Sequence, residues 1–404
     1  MKPWLTIVGV GLDGPKNLSD AARAALAAAD IVAGGQRHCS MLGVDEARRY
    51  IWPRPFSDGV AHILAQRGRE LSVVVLATGD PMHFGVGAKL VRGLERDEFV
   101  ICSAPSAFSL AAGRLGWPIE EAVCMSVHGR PIETLLAWTN PGSRILALTG
   151  GGTAPIEISE MLTGAGYGAT KMCVLENLGG VGERVISLTA RECREQGPFA
   201  ALNVVALECR SDEGVGSLSR LAGLPDDAFE HDGQITKRDV RAATLAALAP
   251  VAGEHLWDVG AGCGSVAIEW LRSGNRMAAT AFEKDARRLA MIEANARQLG
   301  VPDLQIVPGV LPQSLEGIPL PDAVFHGGGV SDDAVFEAAW SALRSGGRFV
   351  ANAVTLEGEA ALVKRQGELG GALVRMAVST LEAVGQFRGL RPGMAVMQWR
   401  VEKP

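Results

Sequence analysis

The sequence predicts an α/β protein built from two unrelated halves, and three observations carry that prediction. Short, buried-type strands alternate with helix-like segments, the pattern of a mostly parallel sheet. Two glycine-rich strand ends, Val8-Gly9-Val10-Gly11 and Asp258-Val259-Gly260-Ala261-Gly262-Cys263-Gly264, sit in differently patterned surroundings, so no internal repeat is marked. Between them lies Ser211-Asp212-Glu213-Gly214-Val215-Gly216-Ser217, a polar, glycine-rich stretch of linker composition. The expected domains are therefore residues 1–212 and 213–404. Each half is long enough to bury its own core.

Composition excludes several function classes. Only 5% of residues are aromatic, which leaves little for base stacking. Residues 1–212 hold 20 Lys+Arg against 22 Asp+Glu, and the remainder 19 against 23, so neither half carries a nucleic-acid footprint. No apolar run reaches membrane-spanning length, and no signal peptide is expected at the N-terminus. Seven scattered cysteines without a Cys-x-x-Cys pair predict a reducing compartment, the cytoplasm, and no metal site. The expected partners are a small-molecule substrate and further copies of the chain, with no nucleic acid and no membrane.

In the first half, residues 4–11 read as a strand ending in a glycine turn. Ser19 or Asp20 caps a helix over 21–29. Further strands are predicted at 30–35, at 71–77 before Thr78-Gly79-Asp80-Pro81, and at 98–102 before Ser103-Ala104-Pro105-Ser106-Ala107. A small-residue helix follows over 108–115. Ligands of parallel α/β sheets gather at the carboxyl ends of strands. Three of these ends carry Gly, Asp, Pro and Ser loops, so one shared site is expected. A second subdomain, from about residue 116 to 210, contains strands at 144–148, 172–175, 184–188 and 202–207.

Several motifs in this half resemble the tetrapyrrole methylase family. They are Val8-Gly9-Val10-Gly11, Gly79-Asp80-Pro81, Pro105-Ser106-Ala107-Phe108, Ser126-Val127-His128-Gly129-Arg130 and Glu176-Asn177-Leu178-Gly179. The resemblance spans residues 4–208 and implies a two-subdomain fold that holds S-adenosylmethionine between its parts. Carried over to this chain, it implies cofactor contacts at Val10, Gly79, Asp80, His83, Ser106 and Ala107. The same fold type also resembles an RNA ribose methylase and the diphthine-forming enzyme. The charge balance weighs against RNA.

In the second half, a strand over 256–259 leads into the glycine turn, and an apolar helix-like segment begins at Ser265. The glycines let the backbone approach a ligand closely, and the helix N-terminus supplies unpaired N–H groups. A dinucleotide fold needs glycine where Ser265 stands. The Asp two residues before Gly-x-Gly-x-Gly instead resembles the first motif of Rossmann-like, class I S-adenosylmethionine-dependent methyltransferases. That places Asp258, Gly260, Ala261, Gly262, Cys263 and Gly264 at the cofactor. Glu283 ends the next strand, nineteen residues after Gly264, where a carboxylate can accept both ribose hydroxyls.

Thr236 reads as the N-cap of a helix through Leu248, with Asp239 in a box-like position. Thr236-Lys237, an acid, Val240-Arg241 and the glycine motif together resemble the decarboxylating precorrin methyltransferase family. That resemblance implies further cofactor contacts at Thr236, Val310 and Leu311, hence two S-adenosylmethionine sites per chain. It also implies a bifunctional enzyme of cobalamin (corrin) biosynthesis that methylates a precorrin at carbons 5 and 15 and decarboxylates the ring C acetate. Lys237, Arg238 and Arg241 are candidates for substrate carboxylates, or else a solvated helix face. His326, after the strand at 321–325, is a proton donor or a side chain bonded to backbone in the loop. No catalytic residue is assigned. Three alternatives remain at this point: RNA or protein methylation, a base N-methyltransferase, which usually carries Asn/Asp-Pro-Pro-Tyr where Phe325-His326-Gly327-Gly328 stands, and a non-catalytic nucleoside sensor.

Overall fold

Runs of Val, Ile, Leu and Ala form strands covered on both faces. The computed structural model describes residues 3–404. These form two compact units. One holds residues up to Arg130 together with Pro141–Val215; the other holds Pro131–Asn140 and Gly216–Pro404.

The first unit has two sheets. β1 (Leu5–Val10), β2 (Ile31–Gly34), β3 (Arg49–Ile51), β4 (Val73–Thr78) and β5 (Phe99–Cys102) form an all-parallel sheet of order β3-β2-β4-β1-β5. Its faces are buried in separate apolar clusters, one around Val8, Val32 and Leu76, the other around Ile7, Ile63 and Val75. The second sheet contains β6 (Ala122–Ser126), β7 (Arg144–Leu148), β8 (Lys171–Glu176), β9 (Arg184–Thr189) and β10 (Asn203–Glu208). Its order is β6-β7-β10-β8-β9, with only β6 and β7 parallel. The expected Ser19 cap forms: its Oγ accepts from Ala22 N at 3.2 Å and starts the helix Asp20–Ala28.

The other unit is built on β11 (His255–Val259), β12 (Ala278–Glu283), β13 (Gln305–Pro308), β14 (Ala323–His326), β15 (Arg348–Ala353), β16 (Ala372–Met376) and β19 (Val396–Glu402). The order is β13-β12-β11-β14-β15-β19-β16, with only β19 running against the others. Strand order reverses between β11 and β14, which opens a crevice at their carboxyl ends. β17 (Ser379–Val384) and β18 (Phe387–Pro392) form a separate hairpin. Gly385 sits in its turn at φ +60°.

Residues 131–140 add Leu135, which is fully buried in this unit, and Trp138, whose ring lies 3.3 Å from the Arg220 guanidinium. Glu133 pairs with Arg297 at 3.1 Å, and Asn140 Oδ1 accepts from Leu218 N at 3.1 Å. A Cβ on Gly300 would collide with the backbone of Ala137. Nothing in the local pattern at 131–140 distinguishes these residues from the rest of the first half.

Candidate functional sites

In the first unit, the carboxyl ends of β1, β4 and β5 meet because their backbones are bare. A Cβ on Gly9 would collide with Gly79 O and lie 2.7 Å from Ala104 N. Gly79 has φ +61°, a region that favours glycine. It donates to Val10 O at 3.0 Å, and its Cα faces Ser106 and Ala107. Asp80 Oδ1 accepts from Met82 N at 2.8 Å, which turns the chain toward His83. His83 packs against Phe108, ring centres 4.5 Å apart. Ser106 caps the helix Ala107–Leu115 by accepting from Ser109 N at 3.1 Å. The structure therefore brings together Val10, Gly79, Asp80, His83, Ser106 and Ala107, with a helix N-terminus aimed at the gap.

In the other unit, Gly260, Gly262 and Gly264 all have φ between +60° and +81°. A Cβ on Gly260 would lie 3.0 Å from the backbone of Gly328, so the loops after β11 and β14 close on one another only through glycine. The helix Ser265–Ser273 starts directly after Gly264. Ala261 lines the loop, whereas the side chain of Cys263 is buried in the core.

Glu283 organises this loop. Its Oε2 accepts from Gly262 N at 2.8 Å, and its Oε1 from Lys284 N and Asp285 N. Asp258 lies behind the loop, 1% exposed. Its Oδ2 accepts from Ala267 N at 3.0 Å, tying β11 to the helix; Oδ1 has no partner among the described residues. Burial first, and then the Glu283 charge, push its carboxyl up to about 7, against the pull of the Ala267 bond. Asp258 thus shapes the cradle from beneath. Val310 is exposed beside the end of β13, while Leu311 turns into the core, so Leu311 offers the crevice only its backbone.

Thr236 is not the helix cap. The helix Arg238–Leu248 starts at an N-cap Lys237 with no side-chain bond, so the expected box with Asp239 does not form. Arg241 is neither a substrate contact nor a solvated residue. It is fully buried, donates to Glu269 Oε1 at 2.6 Å and Asp226 Oδ1 at 3.0 Å, and grips Thr236 O at 2.5 Å. It is the strut that places Thr236, a role the sequence reading missed. Asn295 is a second one: it accepts from Glu230 N and donates to Glu230 O and Cys263 O. Arg288 holds Asp232 and Gln234 over the loop.

His326 is fully buried at the end of β14, its ring 6.3 Å from Phe349. Neither ring nitrogen has a partner in hydrogen-bond geometry among the described residues, although the Gly328 backbone lies close. Burial, then the Arg365 charge, pull its pKa down to about 4. It is a neutral imidazole, and the loop backbone at Gly328 is the group its ring approaches.

Comparisons with known proteins match both halves. Residues 4–193 match the Tetrapyrrole (Corrin/Porphyrin) Methylases family, and residues 227–403 match the Precorrin methyltransferase domain family. Over 400 residues the chain is 46% identical to a precorrin-6Y C(5,15)-methyltransferase (decarboxylating) of Sinorhizobium sp, across 99% of this chain and 96% of that one. It is 29% identical to the cobalt-precorrin-7 C(5)-methyltransferase of Salmonella typhimurium, across 45% of this chain and 88% of that one. It is 37% identical to a probable cobalt-precorrin-6B C(15)-methyltransferase (decarboxylating) of Pyrobaculum calidifontis, across 37% of this chain and 78% of that one.

Proposed function

The chain belongs to the precorrin-6Y C(5,15)-methyltransferase (decarboxylating) family, and we propose that it methylates a precorrin at carbons 5 and 15 and removes the ring C acetate carboxyl as carbon dioxide, in cobalamin biosynthesis. Methyltransferases of this family use S-adenosylmethionine. The reading adds that each half holds one molecule of it: residues 1–212 serve carbon 5, and residues 213–404 serve carbon 15 and the decarboxylation. The observation that carries it is the pair of separate strand-end cradles, each closed by bare glycine backbone and each within a different matched family.

The residues present fit the cofactor. In the second cradle a Cβ would fill the gap between Gly260 and Gly328, and Glu283 stands where a ribose diol needs an acceptor. S-adenosylmethionine supplies a methyl group on positively charged sulfur, which an enamine-like meso carbon of the tetrapyrrole takes without a strong base. The chain's contribution is alignment. Val310 is exposed for a contact, Arg241 fixes Thr236, and the 327–329 loop follows the end of β14. In the first half, Asp80 sets the loop and Ser106 fixes the helix that faces it.

The exposed β17–β18 hairpin supports self-association of the chain, and seven cysteines without a disulfide fit a reducing cytoplasm. Among the described residues no helix is long and apolar enough to cross a membrane. Mass spectrometry of the product from precorrin-6Y tests the reading. Gain of two methyl groups with loss of one carbon dioxide is expected; one methyl, or an intact acetate, overturns it.

A further inference from the structure

Building on the methyl-transfer reading of the first half, we propose that Arg37 and Arg130 receive carboxylate arms of the tetrapyrrole there. The two guanidinium groups flank the loop that leaves β4. Arg37 stands three residues past β2, and its Nη2 lies 3.4 Å from Thr78 Oγ1 and 3.3 Å from His38 Nε2. Thr78 directly precedes Gly79-Asp80. Arg130 closes the Ser126–Arg130 motif after β6, a stretch that the cofactor reading leaves without a role. Its guanidinium lies 5.8 Å from the ring centre of Phe84, at the far end of the same loop.

Neither arginine has a carboxylate within ion-pair distance among the described residues. In the same unit Arg67, Arg114, Arg144 and Arg184 each hold a glutamate. The group against Arg37 supplies no counter-charge. His38 is buried, and burial followed by the Arg37 charge pulls its pKa down to about 4, so it is neutral. Burial alone lowers the pKa of Arg37. A half-buried cation without a counter-ion is costly until a ligand supplies one.

The loop between the two cations presents two large apolar side chains. Met82 and Phe84 are exposed on the loop, at 43% and 46%. A flat macrocycle with anionic arms matches an apolar floor flanked by planar guanidinium forks, which bind carboxylates in two-point fashion. Because the loop begins at the cofactor glycine, a ring seated here lies beside the methyl donor.

The test uses the full-length enzyme with precorrin-6Y, following the two methylations separately by mass. Arg37→Gln and Arg130→Gln should each raise KM for the first-half methylation by about 10–100-fold. Calorimetric affinity for S-adenosylmethionine should not change, nor should the second-half methylation with its decarboxylation. Arg37→Lys should restore part of the loss. An unchanged KM overturns the assignment. So does a matching loss of cofactor affinity, which would make the arginines mere supports of the loop. Titration of tetrapyrrole absorbance reads the same affinity difference without turnover, so a failure of the methyl-transfer reading stays distinguishable from a failure of this one.

Discussion

Glu283 engages three backbone N–H groups before any ligand arrives, among them Gly262 in the middle of the turn. One carboxylate therefore holds the loop and keeps acceptor capacity for a diol. Glu283→Ala should weaken S-adenosylmethionine binding in the second half by about 10–100-fold, seen by calorimetry as one class of sites shifting while the other stays. Asp258 answers to pH instead. Its folded carboxyl titrates at about 7, whereas an unfolded aspartate ionises near about 3.9. Between those values the unfolded chain has released a proton that the folded chain still holds. The contribution of Asp258 to stability is thus complete below about pH 4 and is lost as pH rises through 7. Asp258→Asn, which cannot ionise, should gain in melting temperature on the parent protein as the pH is raised from 4 to 8 without cofactor. His326 is neutral and sealed. His326→Gln should still release carbon dioxide; a variant that methylates but keeps the acetate would identify His326 as the proton donor. The glycines and the two acids were legible because backbone turns and strand ends leave a local signature. Arg241 and Asn295 were not, because a strut is defined by what folds against it from far along the chain.

The long β-branched runs announce their strands, and Ser19 announces its helix. Shorter strands are silent: β3 has three residues, and β6 and β16 mix apolar with polar or small residues. Thr236 had the right residue type for a cap, but tertiary anchoring by Arg241 moved the helix start past it. The β17–β18 hairpin departs furthest from the usual alternation of one covered and one wet face. Leu381 stands opposite Leu390 and Val384 opposite Phe387, so both faces are apolar, and Phe387 is 80% exposed. Under the proposed self-association, this surface is where copies of the chain would meet. Leu381→Ser combined with Phe387→Ser should lower the mass measured by light scattering and leave cofactor affinity intact. An unchanged mass would remove the hairpin from the assembly.

At the scale of the whole chain, the linker over 211–217 predicts two pieces, and the structure adds residues 131–140 to the second unit. The piece 213–404 should retain cofactor binding, the carbon 15 methylation and the decarboxylation. It should also melt below the same unit in the full chain, because Trp138, Glu133 and Leu135 are missing from it. Calorimetric melting of the piece, with and without an added peptide covering residues 131–140, checks this, and equal melting temperatures would refute it. The same feature sets a schedule for biosynthesis. The ion pair between Glu133 and Arg297 spans 164 residues of chain. At about 5–20 residues per second, a ribosome needs about 8–30 s to deliver the second member after the first. Trp138 meets Arg220 partway through that interval, but Leu135 waits for the core of the second unit, which makes this decapeptide the natural place for a chaperone to hold the nascent chain.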